Sequence, residues 1–151
     1  MKKHTIIYKT IWWIYIALLL LVVIIKFRGS FGELENKIIA TPFGTNYNLI
    51  PFNSIGEQLA HISEGWARFN LLGNIIPFVP FGFLLPITYP KANSFLKVLM
   101  VSLLFLFLME TFQFITRLGS FDIDDIILNT IGIIIGYFIA CFIQYLWRTT
   151  K

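Results

Sequence analysis

The stretch of sequence that decides the fold is IDDIILNTIGIIIGYFIACFIQYLW, residues 123–147. Two aspartates follow Ile123, and the next 22 residues carry no charged side chain. The hydrocarbon core of a bilayer is about 30 Å thick, and a helix of about 20 apolar residues crosses it. The stretch therefore predicts a membrane-spanning helix.

The composition of the whole chain is also typical of a membrane protein. Of its 151 residues, 57% are hydrophobic and 13% are charged, whereas a soluble domain carries about 25% charged residues. The basic residues form no nucleic-acid patch, and neither a glycine-rich phosphate loop nor a dinucleotide-binding fingerprint is present. With one cysteine, Cys141, the chain forms no internal disulfide. We predict neither a nucleic-acid partner nor a cofactor.

Three further apolar stretches complete an all-α membrane protein, predicted as a four-transmembrane-helix bundle. The first follows Lys2 and Lys3, as in a signal peptide, but no small-residue cleavage site comes after it, so we interpret it as a retained helix. In the second, Pro77 and Pro80 cannot donate backbone hydrogen bonds, and we expect a kink there. The predicted spans are Ile6–Phe27, Phe69–Tyr89, Ser94–Thr116 and Ile123–Trp147.

The distribution of charge predicts the orientation of the bundle. Four spans place both termini on one side, which carries seven basic residues and no acid: Lys2, Lys3, Lys9, Lys91, Lys97, Arg148 and Lys151. The other side carries five basic residues, namely Lys26, Arg28, Lys37, Arg68 and Arg117, together with the acids. Because short cytoplasmic loops are enriched in Lys and Arg, we predict that the N- and C-termini are cytoplasmic.

The first external connection, from about Arg28 to Arg68, is long enough to hold structure of its own. Ser54 and Glu57 have the spacing of a capping box, in which each side chain satisfies an amide at a helix start. The apolar residues around and after them follow helical spacing: Ile55, Leu59, Ile62 and Trp66. We therefore predict a short amphipathic helix on the outer membrane surface.

Polar residues recur at helical spacing on three of the predicted spans. They are Asn70 and Asn74 on the second, Glu110, Gln113 and Arg117 on the third, and Asp125 and Asn129 on the fourth. On the fourth span the stripe continues with Gly132, Gly136 and Ala140, small residues that let helices approach closely. At about 1.5 Å per residue, Asn74, Glu110 and Asn129 lie at similar depths. We therefore predict one ligand-binding site that opens outward.

The acids Asp122, Asp124 and Asp125 allow three interpretations. Acids at a helix N-terminus stabilise the helix dipole, and Ser120 or Asp122 can cap the fourth helix. The three carboxylates can also belong to the ligand-binding site, and we include them in it. Finally, they can hold a divalent cation or act as general acid and base, although we assign no metal site.

Several of these motifs resemble the VanZ-like family of small membrane proteins. The matching segments are NLIPF (48–52), NLLGNIIPFVPFG (70–82), ETFQ (110–113), Arg117, DIDDIILNTIG (122–132) and GY (136–137). The resemblance implies that residues 1–151 form a single VanZ-like membrane domain in a bacterial plasma membrane. Founding members of the family are associated with resistance to teicoplanin, a lipid-bearing glycopeptide antibiotic, which implies a link to the cell envelope.

Two main functions are compatible with the sequence. The one we favour is a non-enzymatic protein whose outward polar pocket binds a lipoglycopeptide or a lipid-linked cell-wall precursor among the membrane lipids. The alternative is a membrane-embedded enzyme that acts on a lipid or cell-wall intermediate, with Glu110 and Asp125 as acid and base. Against the enzyme, no nucleophile or unambiguous metal site is evident. A transporter subunit whose homo-oligomer supplies further helices is a third interpretation.

Overall fold

The structure, a computed structural model, describes residues 2–26, 42 and 44–150. These residues form six α-helices, two 3-10 turns and two strands. The helices are α1 (Lys2–Lys26), α2 (Asn53–Ala60), α3 (Gly65–Ile75), α4 (Val79–Thr88), α5 (Phe95–Thr116) and α6 (Ile123–Thr149). The 3-10 turns are Ile76–Phe78 and Pro90–Ala92, and the strands are β1 (Tyr47–Asn48) and β2 (Phe121–Asp122).

Four stretches of helix are long and apolar enough to cross a membrane within the residues that the structure covers. They are Ile6–Val23, Gly65–Thr88, Phe95–Thr116 and Ile123–Thr149. The predicted all-α fold with four spans is thereby confirmed, although the second span begins at Gly65 and not at Phe69. The predicted end of the first span, Phe27, lies outside the described residues. The cytoplasmic position of both termini stays a prediction.

The second span is interrupted at the predicted kink. The 3-10 turn Ile76–Phe78 separates α3 from α4. Pro77 and Pro80 lack the amide hydrogens that a continuous α-helix requires, so the break follows directly from the sequence. The Tyr15 hydroxyl of α1 donates a hydrogen bond to the Pro77 carbonyl (2.8 Å) and ties the break to the neighbouring helix.

Helix α6 lies directly against α3 and α4 because glycines form the contact. A Cβ atom added at Gly132 would lie 2.2 Å from the Ile75 carbonyl oxygen, and one added at Gly136 would lie 1.9 Å from the Val79 carbonyl oxygen. Real Cβ atoms essentially never come closer than 3.0 Å to such a neighbour. Ala140 is also fully buried. The predicted packing role of the small-residue stripe is therefore confirmed.

Helix α1 packs against α4 through one of its faces. Trp12, Ile16 and Leu19 are buried at helical spacing. The Trp12 ring lies edge-on to Phe81, with the ring centroids 5.0 Å apart. Only 17% of the Ile6–Val23 span is buried, against 44% of the second span. Most side chains of the Ile6–Val23 span are therefore not buried in the protein, as expected for a helix at the edge of a membrane bundle.

The predicted capping box is wrong. Helix α2 begins at Asn53 with Phe52 at the N-cap position, and no N-cap side chain binds its first turn. The Ser54 hydroxyl instead donates a hydrogen bond to Asp122 of β2 (2.6 Å). The physical reason is that a carboxylate from α6, Asp124, already satisfies amides at the start of α2.

The helix in the first connection is shorter than the predicted spacing indicates. Helix α2 ends at Ala60, so Ile62 lies in a turn and Trp66 belongs to α3. Leu59 is exposed and Gln58 is buried, so a polar side chain of α2 faces the protein. Its predicted position on the membrane surface stays a prediction. The earlier part of this connection, residues 27–41, lies outside the described residues.

Candidate functional site

A pair of two-residue strands ties the first connection to the start of α6. Strands β1 and β2 are parallel, with Asn48 opposite Asp122. The Phe121 amide donates to the Asn46 carbonyl (2.9 Å), and the Asn46 side chain donates to the Gly119 carbonyl (2.7 Å). Segments 73 residues apart in sequence are thus held together where α5 ends and α6 begins. We call this end of the bundle the loop end.

Asp122 is the junction of the loop end. Its Oδ1 accepts a hydrogen bond from the Asp124 amide (2.9 Å) and so caps α6, which confirms the capping interpretation for this residue. The Asn48 side chain also donates to Oδ1 (3.1 Å), and the Ser54 hydroxyl donates to Oδ2 (2.6 Å). One carboxylate therefore joins α6, β1 and α2.

Asp124 holds the first turn of α2. It is fully buried, and its two oxygens accept hydrogen bonds from the Phe52 amide (2.6 Å) and the Ile55 amide (3.1 Å). The first amides of a helix have no partner within that helix, so a carboxylate from α6 supplies the missing acceptors. Phe52 has a φ of 65°, a left-handed conformation that costs a residue with a side chain roughly 1–2 kcal/mol. The bond to Asp124 helps to hold it there.

The three acids of this stretch bind different partners. Asp125 accepts a hydrogen bond from the Asn74 side chain of α3, whereas Asp122 and Asp124 bind the segment around β1 and α2. Within the described ranges, no group of three or more His, Cys, Asp or Glu side chains could hold a metal ion. In this structure the acids connect α6 to three other parts of the fold.

Glu110 is buried within α5, six residues before the helix ends. It is 1% exposed, and its Oε2 accepts a hydrogen bond from the Asp122 amide (3.1 Å). An acidic side chain at the centre of a span costs about 2.5–3.5 kcal/mol on insertion scales. A backbone donor supplied by β2 offsets part of this cost, and it also connects Glu110 to the loop end.

Polar residues from three helices line one small cavity. They are Asn74 of α3, Glu110 and Gln113 of α5, and Asp125 and Asn129 of α6, and the apolar part of the lining includes Val22 and Val23 of α1. The space that the centre of a water molecule can reach is about 10 Å³, which is room for about one water. The predicted convergence of these side chains is confirmed. Their role in binding a ligand stays a prediction.

Four of the predicted ligand-binding residues lie outside this lining. Asn70 lies one turn before Asn74 on α3 and is half-buried. Arg117 follows the last residue of α5 in a left-handed conformation, with a φ of 58°. Asp122 and Asp124 bind the β1 and α2 segment, and Asp122 is connected to the cavity through its amide bond to Glu110.

Two oxygen atoms of the lining residues have no hydrogen-bond partner in the part of the chain that the structure describes. They are Gln113 Oε1 and Asn129 Oδ1, and their residues are 3% and 2% exposed. A buried polar group without a partner costs about 1–3 kcal/mol. Burial of these two oxygens is therefore an energetic cost borne by residues of the cavity lining.

Asn46, Asn48 and Ser54 carry contacts of the loop end that the sequence-based site does not include. Their spacing suits a turn and a helix cap, and no local pattern places them beside β2. The one available signal is the NLIPF segment at 48–52, which carries part of the family resemblance. Its polar residue, Asn48, contacts Asp122 at the start of the aspartate-rich motif.

Comparison with known proteins identifies relatives of this chain. A model of the VanZ/LLP1 family matches residues 12–144, a range that includes every residue of the cavity lining. Protein VanZ of Enterococcus faecium is 32% identical over 100 residues, an alignment that covers 62% of this chain and 60% of that relative. The chain thus matches less than two thirds of the relative's length. No solved structure matches the chain.

Proposed function

Because this chain belongs to the VanZ/LLP1 family, we propose that it is a multi-pass protein of the bacterial plasma membrane that binds the polar head of a cell-envelope amphiphile. The ligand is a lipoglycopeptide such as teicoplanin or a lipid-linked cell-wall precursor. The loop end faces outward, as the charge distribution predicts, and the acyl part of the ligand lies against the apolar helices.

The cavity at the loop end is the observation that carries this proposal. Five polar residues from three helices, Asn74, Glu110, Gln113, Asp125 and Asn129, line one space within an apolar bundle. Polar side chains within membrane spans are costly, and they commonly mark substrate or ion sites. Helix packing alone needs small or apolar residues here, so these five side chains support a binding role.

The size of the cavity restricts how a ligand binds. With room for about one water molecule, it admits a terminal group of the head and not a whole sugar or peptide. The remainder of the head lies at the loop end, where we assign contacts to the other predicted residues: Asn70, Arg117, Asp122 and Asp124. The Phe52 and Leu49 side chains, which are exposed beside β1, offer apolar surface to the acyl part.

Teicoplanin susceptibility tests the antibiotic form of this proposal. Expression of the wild-type protein in a susceptible bacterial host should raise the inhibitory concentration of teicoplanin. The Glu110→Gln variant should abolish the increase, because it replaces the carboxyl group of a lining residue with an amide while it keeps the size of the side chain. Membrane levels of the two proteins, measured by an epitope tag, show whether the variant is made and retained.

Glu57→Gln is the matched control, since Glu57 is an exposed acid on α2 outside the cavity lining. It should preserve the wild-type resistance. An unchanged inhibitory concentration on expression of the wild-type protein would rule out the antibiotic as ligand and leave the lipid-linked precursor. Equal resistance from wild type and Glu110→Gln would contradict a role for the cavity.

A membrane-embedded enzyme is the second candidate, and one observation favours it. Glu110 and Asp125 line the same cavity, as an acid and a base acting on one substrate must. This function predicts a turnover that the purified protein performs and that Glu110→Gln and Asp125→Asn lose. Lipid extracts of expressing and non-expressing cells provide the test, and identical lipid profiles count against an enzyme.

A further inference from the structure

We propose that the segment Leu49–Phe52 is a membrane anchor, whose apolar side chains insert into the leaflet that the loop end faces. Its sequence is Leu-Ile-Pro-Phe, and we call it the LIPF turn. The partner is the boundary between the lipid head groups and the acyl chains. Such an anchor goes beyond the proposed function, because it requires no ligand in the cavity.

The polar and apolar side chains around the LIPF turn are distributed in the reverse of the order expected for a loop in water. Leu49, Ile50 and Phe52 are 56%, 67% and 65% exposed. The polar residues on either side, Asn48 and Ser54, are half-buried, and both donate hydrogen bonds to one carboxylate of β2. Large exposed apolar patches mark contacts with a protein or a membrane. The turn therefore needs an apolar partner outside the fold.

The backbone of the turn is prepared for an environment without water. The Ile50 amide donates to Asn48 Oδ1 (3.2 Å), and the Phe52 amide donates to Asp124 Oδ1 (2.6 Å). Pro51 has no amide hydrogen, and the amide of the next residue after the turn donates to the Ile50 carbonyl (3.3 Å). Water would satisfy these donors in an exposed loop, whereas lipid cannot. The turn can therefore approach the acyl chains without leaving these donors unpaired.

The conformation of Phe52 also indicates a role for its exposed ring. Its φ of 65° lies in the left-handed region, which glycine adopts freely and other residues adopt at a cost. The fully buried Asp124 carboxylate holds the backbone in this conformation. Strained positions of this kind persist where function requires them. Contact with the bilayer gives a reason for phenylalanine at a position where glycine would be unstrained.

The position of the turn in the fold identifies the bilayer as its partner. Asp124, which binds the Phe52 amide, is the second residue of the fourth span, so the turn lies where that span begins. Helix α2 follows the turn and contacts α3, where Trp66 and Phe69 are also exposed at the start of the second span. Aromatic side chains are enriched at membrane interfaces. The exposed apolar surface of the turn thus continues the surface of the membrane-spanning helices.

Site-directed spin labelling tests the anchor. Cys141→Ala removes the single cysteine of the chain, and Ile50→Cys in that background carries a nitroxide label. The purified full-length protein is placed in nanodiscs of phosphatidylcholine and phosphatidylglycerol. Relaxation of the label is then measured with oxygen, which concentrates among acyl chains, and with a nickel chelate, which stays in water. We expect the ratio of oxygen to nickel accessibility at position 50 to exceed that of a label in water several-fold.

Labels at three other positions provide the references. Glu57→Cys, at an exposed acid of α2, gives the ratio for a label in water. Leu104→Cys, at an exposed position near the middle of α5, gives the ratio for the bilayer interior, and the value at Ile50 should lie between the two. Leu49→Cys repeats the measurement within the turn, so the result does not depend on one variant. The melting temperature of each labelled protein shows whether it is folded.

Two results would overturn the proposed anchor. If the labels at Leu49 and Ile50 have the same ratio as the label at Glu57, the turn lies in water. If both labels are poorly accessible to both reagents, protein covers the turn, either a second copy or another segment of this chain. Resistance judges the proposed function separately, because the Glu110→Gln variant can lose resistance whether or not the turn enters the bilayer.

Discussion

The backbone amide of Asp122 lies 3.1 Å from Glu110 Oε2 and donates a hydrogen bond to it. This bond joins a cavity-lining acid to the strand β2. Since Asp122 also binds Asn48 and Ser54, one residue connects the cavity to the first connection of the chain. Changes in that connection are therefore expected to alter the cavity, and the contacts involved can be tested one by one.

Removing the charge of Asp124 should release the start of α2. In Asp124→Asn, one of the two acceptor oxygens is replaced by an amide NH2 group, a donor that faces the N–H donor of the backbone. Hydrogen bonds to charged groups contribute about 1.5–3 kcal/mol each, so we expect a loss of roughly 2–4 kcal/mol in the free energy of unfolding. Hydrogen exchange at Ile55 should accelerate strongly. Glu57→Gln on the exposed side of α2 should leave exchange at Ile55 unchanged, and an unchanged rate in Asp124→Asn would contradict the assigned contact.

Adding one methyl group to the packing face of α6 should disrupt the bundle. In Gly136→Ala, the new Cβ would lie 1.9 Å from the Val79 carbonyl oxygen, and overpacking of this kind costs about 1–3 kcal/mol or more. Gly56→Ala is the control, because its Cβ would meet nothing within 4 Å and alanine favours a helix by about 0.5–1 kcal/mol. The two variants are compared by their melting temperatures in detergent. A Gly136→Ala variant as stable as wild type would show that α6 and α4 are further apart than in this structure.

The contact between Asn48 and Asp122 should appear as an energetic coupling. A double-mutant cycle with Asn48→Ala and Asp122→Ala separates the coupling of these two side chains from the capping of α6. This coupling includes the path through Ser54, which binds both of them, and side chains in contact typically couple by about 0.5–3 kcal/mol. The control cycle pairs Asn48→Ala with Glu57→Ala, whose effects should add within about 0.3–0.5 kcal/mol. Additive behaviour in both cycles would be incompatible with the junction at Asp122.

The bond between Tyr15 and Pro77 should contribute to the packing of α1. Tyr15→Phe removes a hydroxyl that donates to a backbone carbonyl at the break between α3 and α4. A typical hydrogen bond contributes about 0.5–1.5 kcal/mol, so a small decrease in melting temperature is expected. Tyr8→Phe, at an exposed position on the same helix, should have no effect. Equal melting temperatures for both variants would count against the bond.

The membrane-spanning architecture can be predicted from sequence because it depends on local composition. Each span shows a run of apolar residues long enough to cross a bilayer, and the break at Pro77 follows from missing amide hydrogens. The spacing of the glycines in α6 also predicts their packing role, since Gly132 and Gly136 leave room for the backbone of another helix. Convergence of the polar residues follows from depth and helical spacing, which are regular within a helix.

The loop end cannot be predicted in the same way. The pairing of Asn48 with Asp122 joins segments more than 70 residues apart, and no periodicity within either segment specifies its partner. The Ser54 to Glu57 spacing matches a capping box, yet Asp124 supplies the acceptors for α2 from another helix. A local motif shows which groups need a partner, but only the tertiary fold shows which residue provides it.

The central claim is that the cavity between α3, α5 and α6 binds the polar head of an envelope amphiphile. Native mass spectrometry of the protein extracted from bacterial membranes tests this claim most directly. Wild type and the Glu57→Gln control should carry the same bound amphiphile, and Glu110→Gln, at an equal melting temperature, should carry none. Retention of that molecule by Glu110→Gln, or a wild-type protein with no bound amphiphile, would contradict the claim.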